Sequence, residues 1–334
     1  MKRKARREVN NDGMDKVIEI LKEKDFFLIT AHINPEGDSI GSQLALSNLL
    51  ERLNKKHLMV NRDAIPDNLK FLPGVEKIIF SMPEHFQPQV ALVLDCPVKR
   101  RVGTVEPAVD KADVVVNIDH HVSNEFFGDI NWVEAEMSSI GEMIYHLYEK
   151  IGVEIDKDTA IAMYSAILTD TGMFNYDNTS GKTHQIAGKL LEKGIDPSSV
   201  FNEIYEKKSF AQIRILGKVL SGIQIEEEGK IAYMSLTSDM YAEESVNDVS
   251  TEEFINYLRS IKGVEVAIFF KQNPDNREIV DVSFRSSGDV DVNMIASRLG
   301  GGGHKRASGC KLTCGLDEAK KEVLQETRKA VRAE

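Results

Sequence analysis

The first 170 residues alternate short apolar segments with segments of helical spacing. The apolar segments predict strands at 26–30, 57–60, 77–80, 90–95 and 113–119. The spacing predicts helices at 39–54, 138–152 and 157–170. Strands that are apolar on both faces are typical of a mostly parallel sheet with helices on both faces. We therefore predict an α/β domain, in which ligands bind beyond the carboxyl ends of the strands.

The pattern changes after residue 185. Residues 183–194 and 198–223 have helical spacing, and the second segment predicts a long connecting helix. Residues 221–237 and 264–286 then look like two hairpins, with a Gly turn and an Asn-Pro-Asp-Asn turn. These features predict a smaller α+β domain. The expected regions are a basic disordered tail at 1–14, a first domain at 15–196, a helical linker at 197–218 and a second domain at 219–334.

Charge and composition exclude several classes of protein. The chain has 334 residues and a net charge of −11, whereas a protein that binds long nucleic acid needs a basic surface. Any nucleic-acid ligand should therefore be short, about two to five nucleotides. No apolar run approaches the roughly 20 residues that span a bilayer, so no membrane association is expected. Three cysteines form no disulfide framework, which predicts a cytoplasmic location.

Acidic and histidine side chains follow the predicted strands. Each has an ordinary explanation when it is taken alone, since an Asp at a strand-to-helix turn often caps the helix. Four such positions at one edge of a sheet favour a metal site instead, because side chains at neighbouring strand ends can converge. The residues are His32, Glu36, Asp38, Asp95, Asp119, His120, His121 and Asp170.

The chemistry of these side chains indicates which metal would bind. Glu36, Asp38, Asp95 and Asp170 carry four negative charges, which two divalent ions would neutralise. Mixed carboxylate and imidazole ligands without thiolates suit two Mn²⁺ ions, with Mg²⁺ or Co²⁺ as substitutes. Paired ions of this kind activate water and neutralise a phosphoryl oxygen.

The segments HINPEGDSIGS (32–42), LDC (94–96), DHH (119–121) and TDTG (169–172) resemble, in that order, the motifs of the DHH phosphoesterase superfamily. The resemblance covers nearly the whole chain from about residue 15. It implies that residues 15–196 form the catalytic domain and that Asp95 bridges two ions. The implied ligands are His32, Glu36 and Asp95 for one ion, and Asp38, Asp95, His120 and Asp170 for the other.

The same resemblance implies that His121 contacts the phosphate or the leaving group and that Asp119 orients its neighbours. The family usually has Asp where this chain has Glu36. Glu is one methylene longer, so it can still bind a metal but would shift or weaken the first ion.

The segments SFRSSG (283–288) and LGGGGHKRASGC (299–310) resemble the DHH-associated C-terminal domain, which binds the substrate. A glycine run alone is also typical of flexible loops, but glycines let backbone amides approach an anion and Arg binds phosphate with a forked pair of hydrogen bonds. The substrate-binding residues implied are Arg285, Ser286, Gly301, Gly302, Gly303, His304 and Arg306. Phe174 or Tyr176 could stack on a base or could pack in the interior.

This combination resembles the nanoRNase/pAp phosphatase branch. It implies a two-metal phosphodiesterase that hydrolyses short RNA, linear dinucleotides such as pApA or pGpG, and also pAp or cyclic di-AMP, to mononucleotides. Two alternatives remain open: a manganese-dependent pyrophosphatase-like hydrolase, and a nucleotide sensor in which Glu36 has abolished turnover. The sequence is also compatible with a homodimer.

Overall fold

The computed structural model describes residues 11–246, 249, 251 and 253–332. The chain divides into two compact units, of which the first ends at Lys207 and the second begins at Lys208. No helix within these described residues is both long and apolar enough to cross a membrane.

The first unit contains a six-stranded parallel sheet with the strand order β3-β2-β1-β4-β5-β6. Its strands are β1 (Phe27–Ala31), β2 (His57–Val60), β3 (Ile78–Ile79), β4 (Val90–Leu94), β5 (Val114–Asp119) and β6 (Ile130–Val133). The prediction of a parallel sheet is confirmed, and β6 is an additional strand. The order places β1, β4 and β5 side by side, so the residues that follow these three strands share one edge of the sheet.

Both faces of this sheet are covered. The helices of the unit are α1 (Asn11–Glu23), α2 (Gly37–Arg52), α3 (Glu106–Val109), α4 (Ile140–Ile151), α5 (Lys157–Asp170), α6 (Gly181–Leu191) and α7 (Pro197–Phe201). Ile29 belongs to the core formed with α2, α4 and α5, whereas Leu28 packs with Val102 and Val109 on the other face. This division follows from the alternation of side chains along a strand.

Helices α2 and α5 approach each other closely at Gly41. A Cβ atom at this position would lie 2.3 Å from the carbonyl oxygen of Ala162, so a larger residue would force the helices apart. The close approach matters for the site, because α2 carries Asp38 in its first turn and α5 ends at Asp170.

The ends of the first unit differ from the sequence prediction. Residues 1–10 of the predicted tail lie outside the described residues, and α1 already begins at Asn11. Gly13 packs on Trp132, a buried residue of β6 for which the sequence suggested no role.

The prediction of one long connecting helix at 198–223 is wrong. A π-helical turn at Asn202–Glu206 follows α7, and Ser209 then caps a new helix by accepting a hydrogen bond from the Gln212 N–H.

The second unit contains a mixed six-stranded sheet with the order β11-β12-β10-β9-β8-β7, in which only β8 and β9 are parallel. Its strands are β7 (Gln224–Glu226), β8 (Ile231–Leu236), β9 (Val266–Gln272), β10 (Val280–Ser286), β11 (Gly302–His304) and β12 (Ala307–Leu312). Its helices are α8 (Phe210–Ser221), α9 (Ser238–Glu243), α10 (Phe254–Arg259), α11 (Val292–Arg298) and α12 (Leu316–Arg332). The α+β architecture and both predicted hairpins are therefore present, and part of the glycine run is an edge strand.

Candidate active site

The acidic and histidine residues predicted at the strand ends converge in the first unit. The ligand atoms of Asp38, His120 and Asp170 all lie within 4.8 Å of one another, and so do those of Asp95, His120 and His121. His120 belongs to both groups, so the two clusters form one site. This site lies at the carboxyl ends of β1, β4 and β5.

Asp38 is held at the N-terminus of α4. Its carboxylate accepts hydrogen bonds from the backbone N–H groups of Ile140 (2.8 Å) and Gly141 (3.0 Å) and from the Ser42 hydroxyl (3.0 Å). The N-terminus of a helix favours a negative charge through these free N–H groups. Burial nevertheless raises the pKa of Asp38 well above its usual range, and the charges of Asp95 and Asp170 raise it further. His120, whose Nε2 lies 3.9 Å from Asp38 Oδ2, acts in the opposite direction and lowers the pKa of Asp38.

Asp95 is the central carboxylate of the site. Its Oδ2 atom lies 3.2 Å from His32 Nε2, and its Oδ1 atom lies 3.8 Å from His120 Nε2 and 3.6 Å from His121 Nδ1. Burial opposes ionisation, but the hydrogen bond with His32 and the three nearby imidazoles lower the pKa of Asp95 below its usual value. Its backbone has a φ of 52°, a left-handed conformation that Asp tolerates better than most residues. Asp95 is thus the carboxylate that lies between His32 on one side and His120 and His121 on the other.

His120 and Asp170 form a second contact across the site. The Nδ1 atom of His120 lies 3.2 Å from the Met137 carbonyl oxygen, which leaves Nε2 directed at Asp170 Oδ2 at 3.5 Å. Burial lowers the pKa of His120, but the charges of Asp170, Asp38 and Asp95 outweigh it and raise the pKa to about 9. Burial raises the pKa of Asp170 to about 6, against the effect of His120. Asn178 donates a hydrogen bond to the Asp170 carboxylate at 3.3 Å.

His32 has the arrangement of a metal-binding histidine. Its Nδ1–H donates to the Ile33 carbonyl oxygen at 2.6 Å, which leaves Nε2 facing Asp95. A hydrogen bond from the second ring nitrogen commonly fixes the tautomer of a ligating histidine. Two ligands bound at right angles to one ion, each about 2.1 Å away, lie about 3 Å apart. The separation of His32 Nε2 and Asp95 Oδ2, 3.2 Å, is compatible with this arrangement.

Glu36 occupies a different position from the other predicted ligands. It is the N-cap residue of α2, its side chain is exposed, and it belongs to neither of the two clusters. The negative charge of Glu36 still raises the pKa of Asp170, so the carboxylate lies within electrostatic reach of the site. The structure therefore brings five of the six predicted ligands together and leaves Glu36 at the rim.

The donors of the site fit divalent metal ions. They are carboxylate oxygens and imidazole nitrogens, which are the ligands of Mg²⁺ and Mn²⁺. The nearest cysteine in sequence, Cys96, instead donates its S–H to the Val98 carbonyl oxygen, and burial raises its thiol pKa to about 12. Burial and the neighbouring carboxylates raise the pKa values of Asp38 and Asp170, and a bound cation would favour the ionised form of both groups.

Three residues of the site were not identified from the sequence. Asn124 donates to Asp119, Asn178 donates to Asp170, and Arg101 lies beside His32. Each contact depends on how a loop folds back on the sheet edge, and no motif or periodicity marks it. Phe174 stacks on His184 with ring centroids 5.0 Å apart and packs against the core, which favours the interior role that the sequence left open.

The predicted substrate-binding residues lie together at one end of the second unit. Arg285 on β10 pairs with Ala307 on β12, and the Ser286 N–H donates to the Arg306 carbonyl oxygen at 3.0 Å. Gly301 is required by close packing, because a Cβ atom there would lie 2.1 Å from the Gly309 carbonyl oxygen. Gly302, Gly303 and His304 form the edge strand β11, and His304 and Arg306 are exposed.

Comparison with known proteins agrees with this architecture. Residues 27–167 match the DHH family, N-terminal domain, and residues 228–333 match the DHHA1 domain. The bifunctional oligoribonuclease and PAP phosphatase NrnA of Thermus thermophilus is 33% identical over 321 residues, which cover 95% of this chain and 94% of that protein. The protein of the same name from Bacillus subtilis is 28% identical and covers 86% of this chain and 90% of its own length.

A solved structure supports the same relationship. The exopolyphosphatase-related protein from Bacteroides fragilis superposes with a TM-score of 0.88 at 29% identity, and the match covers 96% of both chains. Two matched domains and a relative of nearly equal length leave no large part of the chain unaccounted for. The chain therefore belongs to the DHH family of phosphoesterases and carries a DHHA1 domain in its second unit.

Proposed function

We propose that this protein hydrolyses short oligoribonucleotides, linear dinucleotides such as pApA or pGpG, and pAp or cyclic di-AMP, to mononucleotides. The observation that carries the proposal is the convergence of Asp38, Asp95 and Asp170 with His120 at the carboxyl edge of the sheet. The names of the relatives, oligoribonuclease and PAP phosphatase, support this class of substrate. The net charge of −11 favours substrates of about two to five nucleotides over long RNA.

We further propose that the site holds two Mn²⁺ ions, with Mg²⁺ or Co²⁺ as substitutes. One ion would be held by His32, Glu36 and Asp95, and the other by Asp38, Asp95, His120 and Asp170. A pair of divalent ions at such a site lowers the pKa of a bound water and neutralises charge on the phosphoryl group. The placement of Asp95 between His32 and His120 supports its role as the ligand shared by both ions.

The remaining residues of the site would position the substrate and the leaving group. Asp119 Oδ1 lies 2.7 Å from His121 Nδ1, so the carboxylate fixes the orientation of the ring. His121 would then present Nε2 to the substrate and could hold a proton there for the leaving oxygen. Asn124 holds Asp119 from the other side, since its Nδ2 atom donates to Asp119 Oδ2 at 2.5 Å.

The second unit would supply substrate binding. We propose that Arg285, Ser286, the glycines 301–303, His304 and Arg306 bind a phosphate or a nucleoside, and the exposed positions of His304 and Arg306 are compatible with this role. The assignment of catalysis to residues 15–196 and of binding to 219–334, joined by 197–218, is part of the same proposal. A cytoplasmic location and a homodimer remain predictions.

The test is hydrolysis by the purified protein with Mn²⁺, with products separated by chromatography. The panel contains pAp, pApA, pGpG, cyclic di-AMP, RNA of three, five and 24 nucleotides, and inorganic pyrophosphate. We expect mononucleotides from the dinucleotides and short RNA, and little product from the 24-mer. Rapid hydrolysis of pyrophosphate alone would favour the pyrophosphatase alternative. Tight binding of nucleotides without turnover in any divalent metal would favour a sensor.

A further inference from the structure

Arg101 occupies an unusual position beside the metal-binding residues. It lies in the 3₁₀-helical segment Lys99–Val105 that follows β4. Its carbonyl oxygen accepts a hydrogen bond from the Ile33 N–H at 2.7 Å, which ties this segment to the loop after β1. Its Nη2 atom lies 3.4 Å from Nδ1 of His32. The guanidinium group is therefore held at the rim of the candidate active site.

His32 does not accept a hydrogen bond from this guanidinium group. Its Nδ1 atom lies 2.6 Å from the Ile33 carbonyl oxygen and so carries the hydrogen, which leaves no lone pair for Arg101 to donate to. Within the part of the chain that the structure describes, no carboxylate lies within 4 Å of the Arg101 guanidinium. Two basic neighbours differ, because Lys99 pairs with Asp110 and Arg62 lies 3.6 Å from Asp63.

A partly buried guanidinium without an acidic partner is suited to an anion that comes from outside the protein. Arg remains charged at all relevant pH values and binds phosphate oxygens with a planar pair of N–H donors. The carboxylates of the site repel an anionic substrate, so a fixed cation at their edge would favour its approach. We propose that Arg101 binds a phosphoryl oxygen of the substrate next to His32, an inference that rests on the proposed phosphoesterase function.

A surface depression next to the loop after β1 is the competing location for an anion. It has a volume of about 460 Å³ and is lined by Arg62, Gly103, Thr104, Glu106, Pro107 and Asp110. Two of these residues, Glu106 and Asp110, carry carboxylates, which disfavour a phosphate there. Among the residues that the structure describes, no carboxylate lies within 4 Å of the Arg101 guanidinium, and Arg101 lies beside the predicted metal ligand His32. The phosphoryl contact is therefore assigned to Arg101 and not to the depression.

The experiment is calorimetric titration of inorganic phosphate into Mn²⁺-loaded protein, with Mn²⁺ affinity measured separately on each variant. Arg101→Gln removes the positive charge, whereas Arg101→Lys keeps the charge but lacks the planar pair of N–H donors. Arg100→Gln is the matched control at an exposed neighbouring position. We expect Arg101→Gln to weaken phosphate binding tenfold or more and Arg101→Lys to weaken it less. The control should stay within twofold of the wild type, and all variants should keep their Mn²⁺ affinity within twofold.

Two results would overturn the inference. Equal phosphate binding by Arg101→Gln and the wild type would exclude an anion contact. A parallel loss of Mn²⁺ affinity in Arg101→Gln and Arg101→Lys would mean that Arg101 acts by orienting His32. Failure of the proposed function looks different, because the wild type would then hydrolyse no member of the nucleotide panel whether or not phosphate binding depends on Arg101.

Discussion

Asp119 accepts a hydrogen bond from His121, with 2.7 Å between Oδ1 and Nδ1. Asp119 itself is fully buried, and its second oxygen accepts from Asn124. Both carboxylate oxygens of Asp119 thus accept hydrogen bonds from neighbouring side chains. The proton of the neutral imidazole is therefore placed on Nδ1, which leaves Nε2 for the substrate.

Replacement of Asp119 by Asn should impair turnover without loss of metal. An amide offers one acceptor oxygen, so either His121 or Asn124 loses its acceptor and the ring is no longer fixed. We expect kcat to fall by roughly 10²–10⁴-fold, the range for a misplaced acid–base group. Steady-state kinetics and metal analysis measure both effects. Glu125→Gln removes the same charge from an exposed position in the same loop and should have little effect. Unchanged turnover in Asp119→Asn would exclude the orienting role.

Replacement of Asp95 should remove both metal ions. Its carboxylate contacts His32 on one side and His120 on the other, so it is the residue that the two proposed ligand sets share. Asp95→Asn keeps a residue that tolerates the left-handed φ of 52°, whereas Asp95→Ala adds backbone strain of about 1–2 kcal/mol. Both variants should lose activity and metal, and only Asp95→Ala should also show a lower midpoint of unfolding without metal. A variant that keeps two ions and near-native turnover would contradict the bridging role.

The metal-free protein should lose stability as the pH rises from 5 to 9. The pKa of Asp170 is raised from 3.8 to about 6 and that of His120 from 6.5 to about 9, so the folded state binds more protons than the unfolded state in this range. Stability then falls with increasing pH. The lowered pKa of Asp95 affects the free energy of unfolding only at acidic pH, below 3.8. We expect a loss on the order of 4 kcal/mol, measured by urea unfolding at each pH.

Mn²⁺ should reverse this dependence, because the ions replace the protons that neutralise the carboxylates. The increase in the midpoint of thermal unfolding on addition of Mn²⁺ should therefore be larger at pH 8 than at pH 5. Asp170→Asn removes one of the titrating carboxylates, so its metal-free form should lose less stability between these pH values. An equal loss in the wild type and in Asp170→Asn would show that other groups control the dependence.

Glu36 offers a test of how the site tolerates a longer ligand. Its backbone makes helix-capping contacts, since its N–H donates to Ser39 Oγ and its carbonyl oxygen accepts from the same hydroxyl, and its side chain takes part in a capping box with Ser39. Asp and Gln both keep a side-chain oxygen at this N-cap position, so both substitutions should leave α2 intact. We expect Glu36→Asp to keep or raise activity, and Glu36→Gln to weaken the binding of one Mn²⁺ ion of the two. Calorimetric Mn²⁺ titration measures this, and a folded but inactive Glu36→Asp would indicate a site adapted to Glu.

The sheet of the first unit was predictable because its strands are apolar on both faces, a pattern that water-exposed strands lack. Strand β6 was missed because Ile130–Val133 contains a central Asn131 and Trp132 and has no long apolar run. Strand β11 was missed because Gly302 and Gly303 have low strand propensity, and only its pairing with β12 makes it a strand.

The same contrast holds for the site. The predicted ligands that follow a strand could be placed together from the sequence, because the topology of a parallel sheet brings strand ends to one edge. The partners of those ligands could not. The contact of Asn178 with Asp170 depends on the loop after α5, and that of Asp38 with Ile140 and Gly141 spans about a hundred residues. Neither contact has a local signal in the sequence, so neither could be predicted before the fold was known.

The last prediction concerns Arg285, which lies near the end of β10 next to the turn that carries Arg306. If the second unit binds a phosphate or nucleoside away from the scissile bond, Arg285→Ala should remove a charge-assisted contact worth roughly 1.5–3 kcal/mol. KM for pApA should then rise by roughly 10- to 150-fold. Arg277→Ala is the matched control, because Arg277 precedes the same strand, is exposed and pairs with Asp239 outside the predicted binding residues.

The decisive comparison uses two substrates. Metal content should be unchanged in Arg285→Ala, since Arg285 belongs to neither cluster of metal ligands. Bis-p-nitrophenyl phosphate has no nucleoside for the second unit to bind, so the variant should hydrolyse it nearly as well as the wild type, while pApA turnover at low concentration falls. An equal loss on both substrates would mean that Arg285 takes part in the chemistry, and the assignment of binding to the second unit and catalysis to the first would then be wrong.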